Sequence, residues 1–190
     1  NNKMGNQEVI ISEDIEKELT AAFSRCVYDK LFVLVDKTTE KNCLPLVSGL
    51  EDIKKGKLIV IGSTDVHKTL ETLAYVWTEL GNCGGTRHSL LVIIGGGMVT
   101  DLGGFAASTF KRGINYINIP TTLLSMVDAS VGGKTGINFN GLKNEVGVFN
   151  AANSVIIDTN FLRTLDVYNL CSGYAEMLKH GLISNEKNWA

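Results

Sequence analysis

The chain has no apolar run approaching the ~20 residues that a membrane span needs, and its polar start, residues 1–7, does not read as a signal peptide. Four cysteines, Cys26, Cys43, Cys83 and Cys171, stand far apart with no Cys-x-x-Cys pair. That spacing argues against a thiolate metal site and predicts reduced, buried thiols in a cytoplasmic protein. An excess of charge is missing too: the net charge of −2 argues against a nucleic-acid partner. The three histidines, His67, His88 and His180, are scattered and read as structural. Residues 185–190 show neither a helix cap nor a tail composition, so the chain reads as cut rather than finished. What remains is core-forming material: 44% of the residues are hydrophobic and 20% charged, which suits one ordinary domain or slightly more and not a disordered chain.

The densest information lies in residues 95–138, GGGMVTDLGGFAASTFKRGINYINIPTTLLSMVDASVGGKTGIN. Three glycines follow the apolar run Leu90-Leu91-Val92-Ile93-Ile94, and a helical pattern follows them. This order reads as a buried strand entering an anion-binding turn, where backbone N–H groups and a helix N-terminus face a phosphate. Strand-like runs at 31–35, 57–61, 89–94, 116–119 and 155–158 alternate with helical stretches at 65–80, 98–110 and 121–131. Residues 8–28 mix Val9–Ile11 with a helix-like stretch from Glu13 to Phe23, and residues 132–150 read as too irregular for a regular element. The alternation predicts an α/β fold with a Rossmann-like open, mostly parallel sheet and flanking helices. Ligands in such sheets sit at the carboxyl ends of strands, where Asp36, the residues after Ile61, Gly95–Gly97 and Thr121-Thr122 all fall.

Several side chains could carry chemistry there. Asp36 ends a strand, where it could accept from a ribose or adenine group or cap the next helix. Asp65 and Lys68, three apart at an expected helix start, share a face that could grip a ribose or form a surface pair. Asp101 is expected in the first turn of the helix after Gly97, favoured there by the dipole. Lys134 and Lys143 flank the Gly- and Asn-rich stretch holding Asn138 and Asn144 and suit a phosphate as point charges. Arg112 could bind phosphate bidentately or lie on the surface. Glu176 and Lys179 share a face of the last helix. His180, one turn from Glu176, would permit a metal pair, but two ligands do not make a site.

Four segments, GGGMVTDLGGFAAST, RGINYINIPTTLLSMVDASVGGKTGIN, LKNEVGVF and GYAEMLKHGLI, resemble the 3-dehydroquinate synthase family in order and spacing. The resemblance implies NAD as cofactor, a divalent metal (zinc or cobalt) and a sugar-phosphate substrate. The implied reaction turns 3-deoxy-D-arabino-heptulosonate 7-phosphate into 3-dehydroquinate and phosphate through transient oxidation, elimination, re-reduction and ring closure. It implies an NAD site of Asp36, Asp65, Lys68, Gly96, Gly97, Met98, Val99, Thr100, Asp101, Thr121, Thr122, Lys134, Lys143, Phe161, Leu162, Arg163 and Thr164. Catalytic and substrate contacts would come from Lys134, Asp128, Lys179, Arg112 and Asn144, and Glu176 would be a metal ligand. A homodimer is implied, with Arg112 reaching the neighbouring subunit.

By the same resemblance residues 1–166 form an NAD-binding domain, and residues 167–190 the first helix of a C-terminal helical metal and substrate domain. Such a part-domain is expected to be inactive alone and to expose an apolar helix face. Asp65 stands where the family usually has glutamate, and Thr100 where a small residue is common. A related sugar-phosphate cyclase, a metal-dependent polyol dehydrogenase and a non-catalytic NAD-binding module are the alternative readings. The lysine-rich stretch argues against the polyol enzyme, whose neutral substrate has no phosphate to bind.

Overall fold

A computed structural model of the chain describes residues 7–184. The chain end at residues 185–190 and the His180 side chain lie outside the described residues. Six strands, β1 (Glu8–Ser12), β2 (Leu31–Asp36), β3 (Lys57–Ile61), β4 (Leu90–Gly95), β5 (Asn115–Pro120) and β8 (Ser154–Asp158), form one sheet in the order β1-β8-β5-β4-β2-β3. Every pairing in it is parallel. The five expected strands are all present. Val9–Ile11 belong to the added edge strand β1, and α1 (Ile15–Arg25) follows it. β2 and β4 are buried at every position, which is why LFVLV and LLVII read as unbroken apolar runs: both faces of a parallel sheet are covered.

Helices α2 (Lys37–Asn42), α3 (Glu51–Lys55), α4 (Leu70–Asn82), α5 (Gly97–Thr109), α6 (Leu123–Val131) and α7 (Val167–Ser184) make the connections and the end of the chain. After β2 the chain steps outward to β3, then crosses back to β4 on the other side of β2 and continues to β5. The strand order therefore reverses between β2 and β4, and a crevice opens there at their carboxyl ends. Asp36 and Gly95 stand at its two lips, since Val35 pairs with Ile94.

Residues 132–150 do not form an irregular loop. β6 (Lys134–Phe139) and β7 (Leu142–Phe149) pair antiparallel around Asn140 and Gly141, at φ 51° and 74°. Two consecutive left-handed residues make the tight turn whose twist matches a hairpin, and Asn-Gly meets that demand at the least steric cost. The hairpin lies over α5. At Gly104 an added Cβ would stand 2.6 Å from Thr135 Cγ2, while at the adjacent Gly103 it would stand 2.8 Å from Ile93 Cδ1 and Leu34 Cδ2. Two neighbouring glycines thus let α5 lie close against the sheet on one side and the hairpin on the other.

Candidate functional site

At the mouth of the crevice α5 begins with Gly96 as its cap, which has no side chain to accept from the first-turn amides. An added Cβ on Gly97 would meet no atom within 4 Å, so the space before this helix end is open. Free N–H groups at a helix N-terminus with open space beside them suit an anionic diphosphate. The Val99 side chain is buried under the turn, so Val99 can offer a ligand only its backbone, while Met98 is half-buried. Thr100 fits where a smaller residue was expected, because its hydroxyl donates back to Gly96 O and Gly97 O at 3.2 Å each. From β5, Thr121 N donates to Gly95 O at 3.0 Å. Thr122 and Ser125 form the capping box that starts α6, as the Thr-capped helix predicts.

Across the crevice Asp36 is buried and caps α2: its Oδ1 accepts from Thr38 N and Thr39 N, both at 2.8 Å. Those amide bonds, and a third from the Thr39 hydroxyl, converge on Oδ1. Ser63, just beyond β3, accepts from Thr38 N at 3.1 Å and ties that strand end to the same turn. Phe161 is a core side chain, whereas Arg163 and Thr164 line a second, more open depression of about 570 Å3 beside Asp158 and Asn160. Leu162 packs against the core between them. Thr164 Oγ1 lies 3.4 Å from Cys43 Sγ, and burial pushes the Cys43 thiol up.

Two placements depart from the sequence reading. Asp65 and Lys68 do not open a helix: Asp65–His67 is a single 3-10 turn, and α4 begins at Leu70 behind a Thr69 cap. Asp101 lies in the second turn of α5, not the first. Its stabilising partner is a cation rather than the dipole, with Lys68 Nζ at 2.6 Å. Burial raises the Asp101 carboxyl above its ordinary range, and the hydrogen bond and charge of Lys68 oppose that rise. Lys68 is itself buried and donates a second bond to Asn144 Oδ1 at 2.5 Å.

Between α5, α6 and the hairpin lies a cavity of about 680 Å3 lined by Asp101, Asn118, Asp128, Lys134 and Asn144, with Gly97 at its edge. It is of the size that holds a small ligand. Lys134 and Asp128 are exposed within it. The structure thus brings Asp101, Asp128, Lys134, Asn144 and the α5 N-terminus together. Lys143 stands outside this cavity, exposed, with Asp65 Oδ2 at 3.8 Å. Arg112 lies beyond the far end of α5, about 20 Å from Gly97 by the rise of the helix, and lines no part of the cavity. Glu176 and Lys179 sit exposed on α7, which packs against α6. Among the described residues no three His, Cys, Asp or Glu side chains converge on a metal position.

Asn118 carries no expectation from sequence, and Asn138 is named there only as part of the Gly- and Asn-rich stretch. Asn118 Oδ1 is buried at the cavity with no hydrogen-bond partner among the described residues, and its signal is an amide in the otherwise apolar strand YINIP. Asn138 binds Asn144 N through its Oδ1 at 3.0 Å and Asp65 Oδ2 through its Nδ2 at 3.3 Å. The cysteines are free, but only Cys43 is buried and Cys171 is exposed, so the expectation of uniformly buried thiols is corrected. No helix among the described residues is long and apolar enough to cross a membrane.

The family model for the 3-dehydroquinate synthase N-terminal part matches residues 58–172. A curated 3-dehydroquinate synthase of Parabacteroides distasonis is 56% identical over 98% of this chain and 53% of its own length. The chain spans about half the length of the curated relatives it matches. Among solved structures, a 2-epi-5-epi-valiolone synthase of Streptomyces hygroscopicus, with NAD+ and Zn2+ bound, superposes with a TM-score of 0.81 at 31% identity. That similarity covers 94% of this chain and 50% of the other. A 2-deoxy-scyllo-inosose synthase complexed with carbaglucose-6-phosphate, NAD+ and Co2+ shares the fold at 24% identity, with a TM-score of 0.80 over 94% of this chain and 50% of that one. By its sequence matches, the chain belongs to the 3-dehydroquinate synthase family.

Proposed function

We propose that the protein acts as a 3-dehydroquinate synthase, taking 3-deoxy-D-arabino-heptulosonate 7-phosphate to 3-dehydroquinate and inorganic phosphate with NAD+ as a recycled cofactor. The observation that carries the reading is the adjacency of two anion-suited features: the open, uncapped N-terminus of α5 and the polar cavity holding Lys134 and Asn144. One suits a dinucleotide diphosphate and the other a sugar phosphate. A polyol has no use for the second.

NAD would be held by the first-turn amides of α5 at Gly97–Val99, with Asp36 Oδ2 toward a ribose hydroxyl and Thr121-Thr122 closing the crevice. The backbone around Phe161–Thr164 would border the adenosine side. When bound, NAD supplies reversible hydride acceptance at a substrate hydroxyl carbon. Lys134 would pair with the phosphate as a point charge, and Asn144 would donate to the same group. Asp128, beside the cavity, would orient the reacting hydroxyls. Holding these groups around one bound substrate makes successive steps unimolecular, an advantage of up to roughly 7–11 kcal/mol.

For a divalent ion, zinc or cobalt, the described residues offer the single carboxylate of Glu176 and do not by themselves fit a metal, so no step here runs through one. A homodimer belongs to the proposal because Arg112 is exposed and lines no part of the cavity of its own chain, which leaves it to serve another. The test is phosphate release by the full-length protein from the heptulosonate phosphate. Phosphate formation that requires NAD+ supports the reading. NADH accumulation from glycerol with no phosphate release would replace it with the polyol dehydrogenase.

A further inference from the structure

We propose that Asn138 is a positioning residue: it locks the bulge of the hairpin that carries Asn144 and fastens it to the turn after β3, so that Asn144 is held ready for the substrate's phosphate. The inference rests on the functional reading above and adds to it the group that sets the aim of one contact.

The β6–β7 ladder breaks its register at Asn138. Ile137 pairs with Val146 and Phe139 with Leu142, so Lys143, Asn144 and Glu145 face Asn138 alone. A bulge of this kind bends its strand, re-aims its side chains and leaves backbone groups that need partners outside the ladder. Asn138 supplies one, since its Oδ1 accepts from Asn144 N at 3.0 Å. That bond holds Asn144 in the left-handed region, φ 53°, a conformation that persists only where neighbouring groups determine it. The other end of the same amide donates to Asp65 Oδ2 at 3.3 Å, and Asn138 N donates to Lys68 O at 2.8 Å. A backbone N–H can meet only the amide oxygen and a carboxylate only the amide NH2, so chemistry fixes which way the Asn138 side chain points. The Asp65–His67 turn follows the carboxyl end of β3, which Ser63 ties to the Asp36 turn. Through Asn138 the bulge is therefore moored to the cofactor side of the crevice. Lys68 reinforces the mooring with its bond to Asn144 Oδ1 at 2.5 Å, and with Asp101 as its other partner it keeps a third hydrogen for the cofactor.

The experiment uses the full-length protein with NAD+ at saturation and inorganic phosphate as the probe, and reads phosphate affinity by calorimetry. Asn138→Leu should weaken phosphate binding at least about fivefold, the loss of one hydrogen bond. On an Asn144→Ala background Asn138→Leu should add nothing, because its effect passes through Asn144. Asn138→Asp should also weaken binding, since its carboxylate can accept from Asn144 N but has no donor to offer Asp65. Exchanging donor and acceptor, Asp65→Asn together with Asn138→Asp, should return the affinity to within about threefold of wild type, which a merely structural loss would not do. Additive effects of Asn138→Leu and Asn144→Ala, an exchange that fails to rescue, or a wild type that binds no phosphate overturns the proposal. Should Asn138→Leu fail to fold, the exchange decides alone. Phosphate release from the heptulosonate phosphate is followed with the same wild-type protein. If it is absent while the affinities shift as expected, the functional reading falls and the positioning role stands.

Discussion

A lysine with 4% of its surface in water must have its charge answered nearby, and Lys68 has Asp101 and Asn144. Its burial was not legible in Asp65-Val66-His67-Lys68, because the spacing that suggests a shared helical face belongs here to a single 3-10 turn. Asp101 carries a testable pH signature. Its carboxyl is raised by burial, so below its ordinary value of 3.8 it is protonated in both folded and unfolded chains. Between 3.8 and its higher folded value the unfolded chain releases the proton first. Asp101 therefore contributes a fall in stability as pH rises through that window and a constant cost above it. Denaturant midpoints across the window should show this component in wild type and lose it in Asp101→Asn. At Lys134 the expectation is functional: in the full-length protein Lys134→Ala should nearly abolish phosphate release while the melting temperature stays within about 2 °C, since this exposed side chain holds no core contact. Activity within a few-fold of wild type would remove Lys134 from the site.

Among the elements, α5 does the most to shape the site, and its sequence GMVTDLGGFAAST can be read position by position. Gly97 faces open space at the N-terminus, while Gly103 and Gly104 face the sheet and the hairpin. Gly97→Ala should accordingly leave the melting temperature unchanged or slightly raised but place a methyl group where a diphosphate would lie. Calorimetry should show NAD+ affinity reduced at least about tenfold. Gly103→Ala should do the reverse, costing about 1–3 kcal/mol of stability through overpacking against Ile93 and Leu34. The strands and the capped helices were legible because unbroken apolar runs and Thr caps are local signals. The β6–β7 hairpin is harder to read although Asn140-Gly141 is a strong hairpin signal, because its flanks, KTGINF and LKNEVGVF, lack the clean alternation of a strand with one buried face. All eight residues of β7 are exposed, so no apolar period was there to be read. Gly141→Ala, forcing a side chain to φ 74°, should cost about 1 kcal/mol, and the loss should show first as faster amide exchange in the hairpin.

At the scale of the molecule the decisive feature is the reversal of strand order between β2 and β4. It sets Asp36, Gly95–Gly97 and Thr121 around one crevice although they are separated by many tens of residues. Strand ends can be listed from sequence, but their order across the sheet is a tertiary property, and so is the cavity beneath the hairpin. Arg112, Glu176 and Lys179 show the complementary case, residues named by resemblance that the chain's own fold leaves apart from the cavity. On α7, Val167, Leu170, Tyr174 and Leu178 recur at helical spacing and are all exposed, so this helix presents an apolar stripe. That NAD+ takes a hydride from the substrate and the NADH so formed returns it within one catalytic cycle can be checked by stoichiometry. Full-length protein is given one NAD+ per active site and a large excess of the heptulosonate phosphate, and phosphate and reduced-nicotinamide absorbance are followed together. Phosphate is expected to rise to the full substrate concentration while no NADH remains. Phosphate halting at one equivalent of NAD+, or NADH accumulating in step with it, would show that the cofactor is consumed rather than recycled.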